Sequence, residues 1–175
     1  MAYTLEQFCA DHHAVLTSGI PLAQALPQIA EKLALLLRNP QFVADTFNDD
    51  TPIGRRELHH DPDTDVYVLA HVQAGGKKGS PHSHGASWAV YGNARAFTDM
   101  TEWRRSNPES EAQAVLEPAA RYRMGPGDTR GYGPGVIHST AHPEKAWVIR
   151  VTGTDLDAIP RYRFQPKTDK IVEKV

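Results

Sequence analysis

Along the first fifty residues the apolar positions recur at helical spacing. Leu5, Phe8, Cys9, His12, Val15 and Leu16 form one stripe, with Thr4 as N-cap, Gln7 three residues on in capping-box position, and Gly19 as the stop. Pro21 sits in the first turn of a second helix, whose Leu22, Leu26, Ile29, Leu33 and Leu37 share a face. Asn39 and Pro40 start a short third helix that runs to about Phe47. The stretch NDDTPIG is then a loop. The leucine stripe reads as a core feature that packs against the later part of the chain.

After Gly54 the pattern changes to short runs broken by Gly, Pro and Asp clusters, which predicts the strands of an all-β sandwich or barrel. Residues 55–59 form one strand, turned by DPDTD. Residues 66–73 form the next, with Val66, Val68, Ala70 and Val72 on one face and Tyr67, Leu69, His71 and Gln73 on the other. Residues 87–95 and 96–104 come next as strands, and residues 99–105 have a capped helical turn as their alternative. Residues 114–117 and 121–124 are short strands; residues 138–141 and 147–152 close the barrel. Residues 155–175, charged and broken by prolines, read as a tail over the surface. The expected organisation is one domain: helices in residues 1–50, a barrel in residues 55–153 and a tail in residues 154–175.

Composition narrows the function classes. With 19 Lys and Arg against 21 Asp and Glu the formal charge is −2, so neither a nucleic-acid nor a membrane surface is expected. The single cysteine, Cys9, excludes an internal disulfide framework, and the N-terminus lacks a basic segment followed by an apolar run. A cytoplasmic location is the expectation. The most apolar window, residues 20–37, carries Gln24, Gln28, Glu31 and Lys32 and is too polar to span a bilayer.

Nine histidines are many for this length, so only their spacing can argue. In GKKGSPHSHGASWAVYG, residues 76–92, His82 and His84 stand two apart at the mouth of a predicted strand, where both imidazoles point to one face. In GDTRGYGPGVIHSTAH, residues 127–142, His138 comes after a Gly-Pro-Gly turn and opens another strand that can supply a third ligand from across a barrel. Three neutral imidazoles suit a divalent transition ion better than calcium or magnesium. His142, four residues on, either orients a ligand from behind the site or is a surface histidine before Pro143. The remaining histidines have no matched spacing, and His71 is the one that lies on a strand near the motif.

These residues resemble the cupin superfamily. Its first motif, a glycine, five residues and His-x-His, is matched by Gly76, His82 and His84; its second, Pro and Gly shortly before a histidine, by Pro134, Gly135 and His138. The glutamate that many cupins place four or five residues after His-x-His is replaced by Trp88 and Ala89, which leaves the three-His pattern of the cysteine dioxygenase branch. The resemblance covers residues 55–153. It implies a mainly β fold, the cupin double-stranded β-helix or jelly-roll barrel, with a metal held by His82, His84 and His138. Iron(II) is the ion it implies first, with zinc, manganese or nickel also compatible with imidazole ligands. It also implies a small-molecule substrate, dioxygen as co-substrate, and two copies able to pair as a homodimer.

Arg56 lies 26 residues ahead of His82, the interval at which the cysteine dioxygenase family has the arginine that grips its substrate carboxylate. Arg55, one residue earlier, points to the opposite face. The resemblance does not extend to the Ser-x-His-x-Tyr relay of thiol dioxygenases: residues 148–152 read Val, Ile, Arg, Val, Thr, so Arg150 stands for the histidine and Thr152 for the tyrosine. An inward Arg150 can bind an anionic substrate instead, with Tyr91, Trp88 or Tyr132 as a hydroxyl source or aromatic wall. The expected activity is a non-haem iron(II) dioxygenase on a small thiol- or carboxylate-bearing substrate. The alternatives are a non-oxidative metal-dependent isomerase or lyase, and a small-molecule-binding cupin without turnover.

Overall fold

The computed structural model describes residues 2–111, 113–165 and 170–174. Three helices lead: α1 (Leu5–Thr17), α2 (Leu22–Leu37) and α3 (Pro40–Thr46). The capping box starts α1 as the sequence predicts, for Gln7 N donates to Thr4 Oγ1 at 3.2 Å and Thr4 N donates back to Gln7 Oε1 at 2.9 Å. Asn39 caps α3, accepting from Gln41 N at 3.0 Å, while its own amide donates to Tyr3 O at 2.9 Å and ties the helix to the start of the chain.

The strands after the helices are β1 (Gly54–Asp61), β2 (Val66–Gln73), β3 (Lys77–Lys78), β4 (Ala89–Arg95), β5 (Thr98–Arg105), β6 (Leu116–Met124), β7 (Thr129–Tyr132), β8 (Ile137–His142), β9 (Ala146–Thr152), β10 (Tyr162–Gln165) and β11 (Lys170–Lys174). They form one sheet in the order β1-β2-β9-β4-β7 and a second in the order β3-β8-β5-β6, with β10-β11 as a ribbon. Every pairing is antiparallel. Strands that alternate between two facing sheets in this order make a jelly roll, so the fold is the double-stranded β-helix of the cupins.

Two cores result from side-chain alternation. Val66, Val68, Ala70 and Val72 of β2, Val90 of β4, and Trp147, Ile149 and Val151 of β9 face outward and pack under α2, where Leu26, Ile29, Leu33, Leu36 and Leu37 are buried. Both faces of this sheet are covered, which is why residues 146–149 of β9 read as an apolar run before Arg150 interrupts it. Gly92 admits the helix, because a Cβ there would meet Leu37 Cδ1 at 2.6 Å. Between the sheets lie Ala89, Tyr91, Met100, Met124, Tyr132 and Val148. The second, smaller core forms part of the wall around the histidine motif.

Several expectations need correction. The strand expected at residues 96–104 is β5, and its alternative, a helical turn at residues 99–105, falls, because the ladder to β6 and β8 is continuous apart from one bulge. The two short strands expected at residues 114–117 and 121–124 are one strand, β6, bent by the bulge opposite Glu102 and Trp103. β7, with Gly131 inside it and Gly127 and Gly133 close on either side, is a strand that the sequence pattern does not predict. The tail is not simply a surface strap: Phe164 is buried, Phe164 N donates to Pro81 O at 2.8 Å and Ser83 N donates to Tyr162 O at 3.0 Å. It therefore adds a strand beside the His-x-His segment. The parts of the expected tail at residues 166–169 and 175 lie outside the described residues.

Candidate metal centre

The His-x-His segment is not a regular strand. His82 makes an isolated bridge to His138 on one side and to Arg163 on the other. His82 N donates to His138 O and His138 N to His82 O, both at 2.9 Å, so the backbone holds these two histidines opposite each other across the second sheet. His84 comes next, and the chain turns away at Gly85, whose φ of 60° is the left-handed region that suits glycine. A Cβ on Gly85 would sit 2.2 Å from Pro160 O. The turn after His84 is thus clamped by the C-terminal segment.

One ligand-capable atom from each of His82, His84 and His138 lies within 4.8 Å of the others. The ring centroids are 4.7 Å apart for His82 and His138, 4.8 Å for His84 and His138, and 5.5 Å for His82 and His84. His82 Nδ1 donates to Ser80 O at 3.0 Å, which leaves the Nε2 lone pair free. Both nitrogens of His138 are buried, and no well-formed hydrogen bond reaches either, although the Val136 backbone lies near. A fully buried imidazole with two orphaned nitrogens is costly unless something else satisfies it.

Burial keeps all three rings neutral, the form that ligates a metal. Loss of solvation, helped by the neighbouring histidines and Arg150, lowers His84 to about 2 and His138 to about 3, and lowers His82 as well. One aromatic hydroxyl and one aromatic ring lie against the triad. Tyr91 Oη lies 3.3 Å from His84 Nε2, and the Tyr132 ring lies 4.5 Å from His138 with its hydroxyl 2.7 Å from that of Tyr122. Trp88 belongs instead to the core under the helices. The donor set, its convergence and the orphaned nitrogens fit a divalent transition ion.

A cavity of about 120 Å³ opens beside His82, lined by His71, Gln73, Tyr91, Thr98, Thr140, His142, Val148 and Arg150. It is smaller than the usual ligand pocket, so it suits a small metabolite. Arg150 brings its guanidinium to this wall, and its Nε is buried without a partner. No carboxylate lines the cavity among the described residues. His142, 5% exposed, faces it, with Nδ1 3.3 Å from Thr98 Oγ1; it is not a surface histidine. His71 also lines it, and burial, followed by Arg150 and Arg55, lowers it to about 3.

Arg56 does not belong to this site. Its partner across the sheet is Ala70, which faces the helices, and side chains directly opposite share a face. Its Nη2 donates to Thr46 O at 2.8 Å. Arg55 stands opposite His71, on the inner face, and its Nη1 donates to Asp157 Oδ2 at 2.8 Å. The one-residue step decides the face, and a sequence interval cannot settle it. The missed wall residues Gln73, Thr98 and Thr140 emerge from alternation once the register is known, since His71, two residues from Gln73, pairs with Val148.

The chain matches no protein-family model and no curated protein. Solved structures with similar chains include a cupin superfamily protein from Desulfitobacterium hafniense, at 12% identity over 62% of this chain and 84% of that one, with a TM-score of 0.44. KdgF from Halomonas sp. has 16% identity over 65% of this chain and 91% of that one, with a TM-score of 0.44. Recombinant oxalate oxidase in complex with glycolate has 16% identity over 62% and 55%, with a TM-score of 0.42. Strand order and the two packed sheets, rather than these likenesses, give the double-stranded β-helix fold.

Proposed function

We propose that the protein is a metal-dependent cupin enzyme, a non-haem iron(II) dioxygenase acting on a small substrate that carries a carboxylate. His82, His84 and His138 would hold the ion. Bound iron(II) supplies open coordination positions at which a substrate and dioxygen can meet. The chain's own residues do the rest. Arg150, with its unpartnered Nε on a wall that has no acidic group among the described residues, is the observation that carries the reading, because a guanidinium with no salt-bridged carboxylate of its own is matched by a substrate carboxylate. Val148 and the Tyr91 ring close the apolar side, and the small volume excludes bulky acids.

A second reading rests on a specific feature of the same wall. His71, His142 and the Tyr91 hydroxyl place three proton-transfer groups around the cavity, more than oxygen chemistry requires. They favour a non-oxidative isomerase or lyase on the same class of acid, with the ion polarising a carbonyl.

An oxygen electrode separates the two. Iron-loaded protein is given cysteine, mercaptopropionate, cysteamine and non-thiol acids. Oxygen uptake with one or more carboxylates and none with cysteamine supports the dioxygenase with Arg150 as anchor. Arg150→Gln should then raise KM about tenfold or more, the cost of a lost charge-assisted pair. Turnover of an acid under nitrogen at the same rate as in air replaces the first reading by the second.

A further inference from the structure

A second group of ligands lies outside the barrel, at the seam between α1 and β1. Cys9 and His12 are three residues apart on one face of α1, and His59 reaches them from β1; one ligand atom from each lies within 4.8 Å of the others. His12 is 0% exposed, and neither of its ring nitrogens has a hydrogen-bond partner. Its contacts are aromatic: Phe8 edge-on at 5.2 Å and the His59 ring at 6.1 Å. An imidazole in such a place leaves two polar atoms unsatisfied, a cost the fold would avoid with a leucine.

We propose that Cys9, His12 and His59 bind a zinc-class divalent cation that clamps α1 to β1, independently of the barrel histidines. One thiolate and two imidazoles are a donor set for a d¹⁰ or borderline-soft ion rather than for calcium or magnesium. Tetrahedral zinc with ordinary bond lengths sets its sulfur and nitrogen ligands about 3.3–3.6 Å apart. The three atoms, within 4.8 Å of one another, would close by about 1 Å to reach that spacing.

The surroundings complete the site. Asp61, 6% exposed, terminates β1 and carries a full negative charge next to the cluster, its Oδ2 bound by His13 at 2.7 Å and by Thr64 at 2.6 Å. One thiolate and this carboxylate together balance the two charges of the ion. Because Asp61 is held by its own partners, the fourth coordination position falls to a water on the side of the half-buried Cys9. On binding, the Cys9 thiol gives its proton to solvent and the sulfur takes the metal; the imidazoles coordinate through lone pairs that are already free. Burial and Asp61 push the unliganded thiol up to about 11, so the metal must displace that proton.

The test uses the full chain with His82→Ala and His138→Ala, which removes the barrel triad, and cobalt(II) as the probe, followed by zinc(II). One equivalent of cobalt per chain is expected, with an intense near-ultraviolet sulfur-to-cobalt charge-transfer band that zinc abolishes. Adding Cys9→Ser removes the band, and adding His59→Ala weakens binding by about 100-fold or more, beyond the loss typical of an outer partner. Cys9 and His59 are both half-buried, so these variants keep the fold where a change at His12 endangers it. Cobalt binding without a charge-transfer band, or the same zinc-induced rise in Tm in the Cys9→Ser chain, overturns the proposal. The outcome does not depend on the barrel triad, whose own failure shows as equal metal content in the wild type and the double variant.

Discussion

Gly85 joins the candidate centre to the C-terminal segment, and replacing it by alanine probes that link. Two costs separate cleanly. The first is conformational: an L-residue at φ 60° loses about 1–2 kcal/mol. The second is steric. A Cβ at Gly85 would lie 2.2 Å from the Pro160 carbonyl oxygen, so the two must part by about 1 Å to reach ordinary contact. The atom in the way is backbone and cannot rotate aside. Either the segment leading to Tyr162 and Phe164 lifts, loosening its bonds to Ser83 and Pro81, or the turn carrying His84 shifts instead. Gly76→Ala is the control, because Gly76 has φ 73° and a Cβ added there would meet nothing within 4 Å, so it carries the conformational cost alone. Urea unfolding should show Gly76→Ala less stable by about 1–2 kcal/mol and Gly85→Ala less stable by more than that. Chelator competition should show iron(II) or cobalt(II) held at the barrel site about tenfold or more weakly in Gly85→Ala and unchanged in Gly76→Ala, since metal sites tolerate little displacement of a ligand. Equal metal affinity in the two variants refutes the reasoning.

Other expectations arise from the same structure. Arg56→Lys should leave the KM of any substrate found unchanged while Arg150→Gln raises it, as steady-state kinetics will show. Leu33→Ala, at a fully buried position under the first sheet, should cost about 2–5 kcal/mol in urea unfolding and leave metal affinity intact. In chelator-treated protein the urea midpoint should fall as pH drops from about 6.5 toward about 3: His71 and His138 have an ordinary value of 6.5 in the unfolded chain and are lowered to about 3 in the fold, so acid is taken up first by the unfolded state. A midpoint that stays level between pH 6.5 and 4.5 counts against buried neutral imidazoles.

Much of the architecture is legible because it rests on local chemistry. The Thr4 and Gln7 capping box, the leucine stripe of α2 and the alternation of β2 are each written in consecutive residues and appear where the pattern puts them. His82, His84 and His138 are legible because a two-residue spacing and a glycine turn mark them. Facts set by long-range register are not. Whether Arg55 or Arg56 faces the barrel depends on pairing with Ala70 and His71, and the role of β10 depends on a contact with Pro81 far away in sequence. The cluster of Cys9, His12 and His59 escapes for the same reason: its third member arrives only when β1 packs against α1.

Metal content tests most directly whether the three barrel imidazoles bind one ion. Protein purified without a metal-affinity tag, reloaded anaerobically with iron(II) and desalted, can be assayed for metal by elemental analysis beside His138→Ala and His60→Ala. The expected result is that His138→Ala retains one equivalent per chain less than the wild type and that His60→Ala, whose ring stacks on Tyr67 away from the centre, retains as much as the wild type. Equal metal content in the wild type and in folded His138→Ala would contradict it.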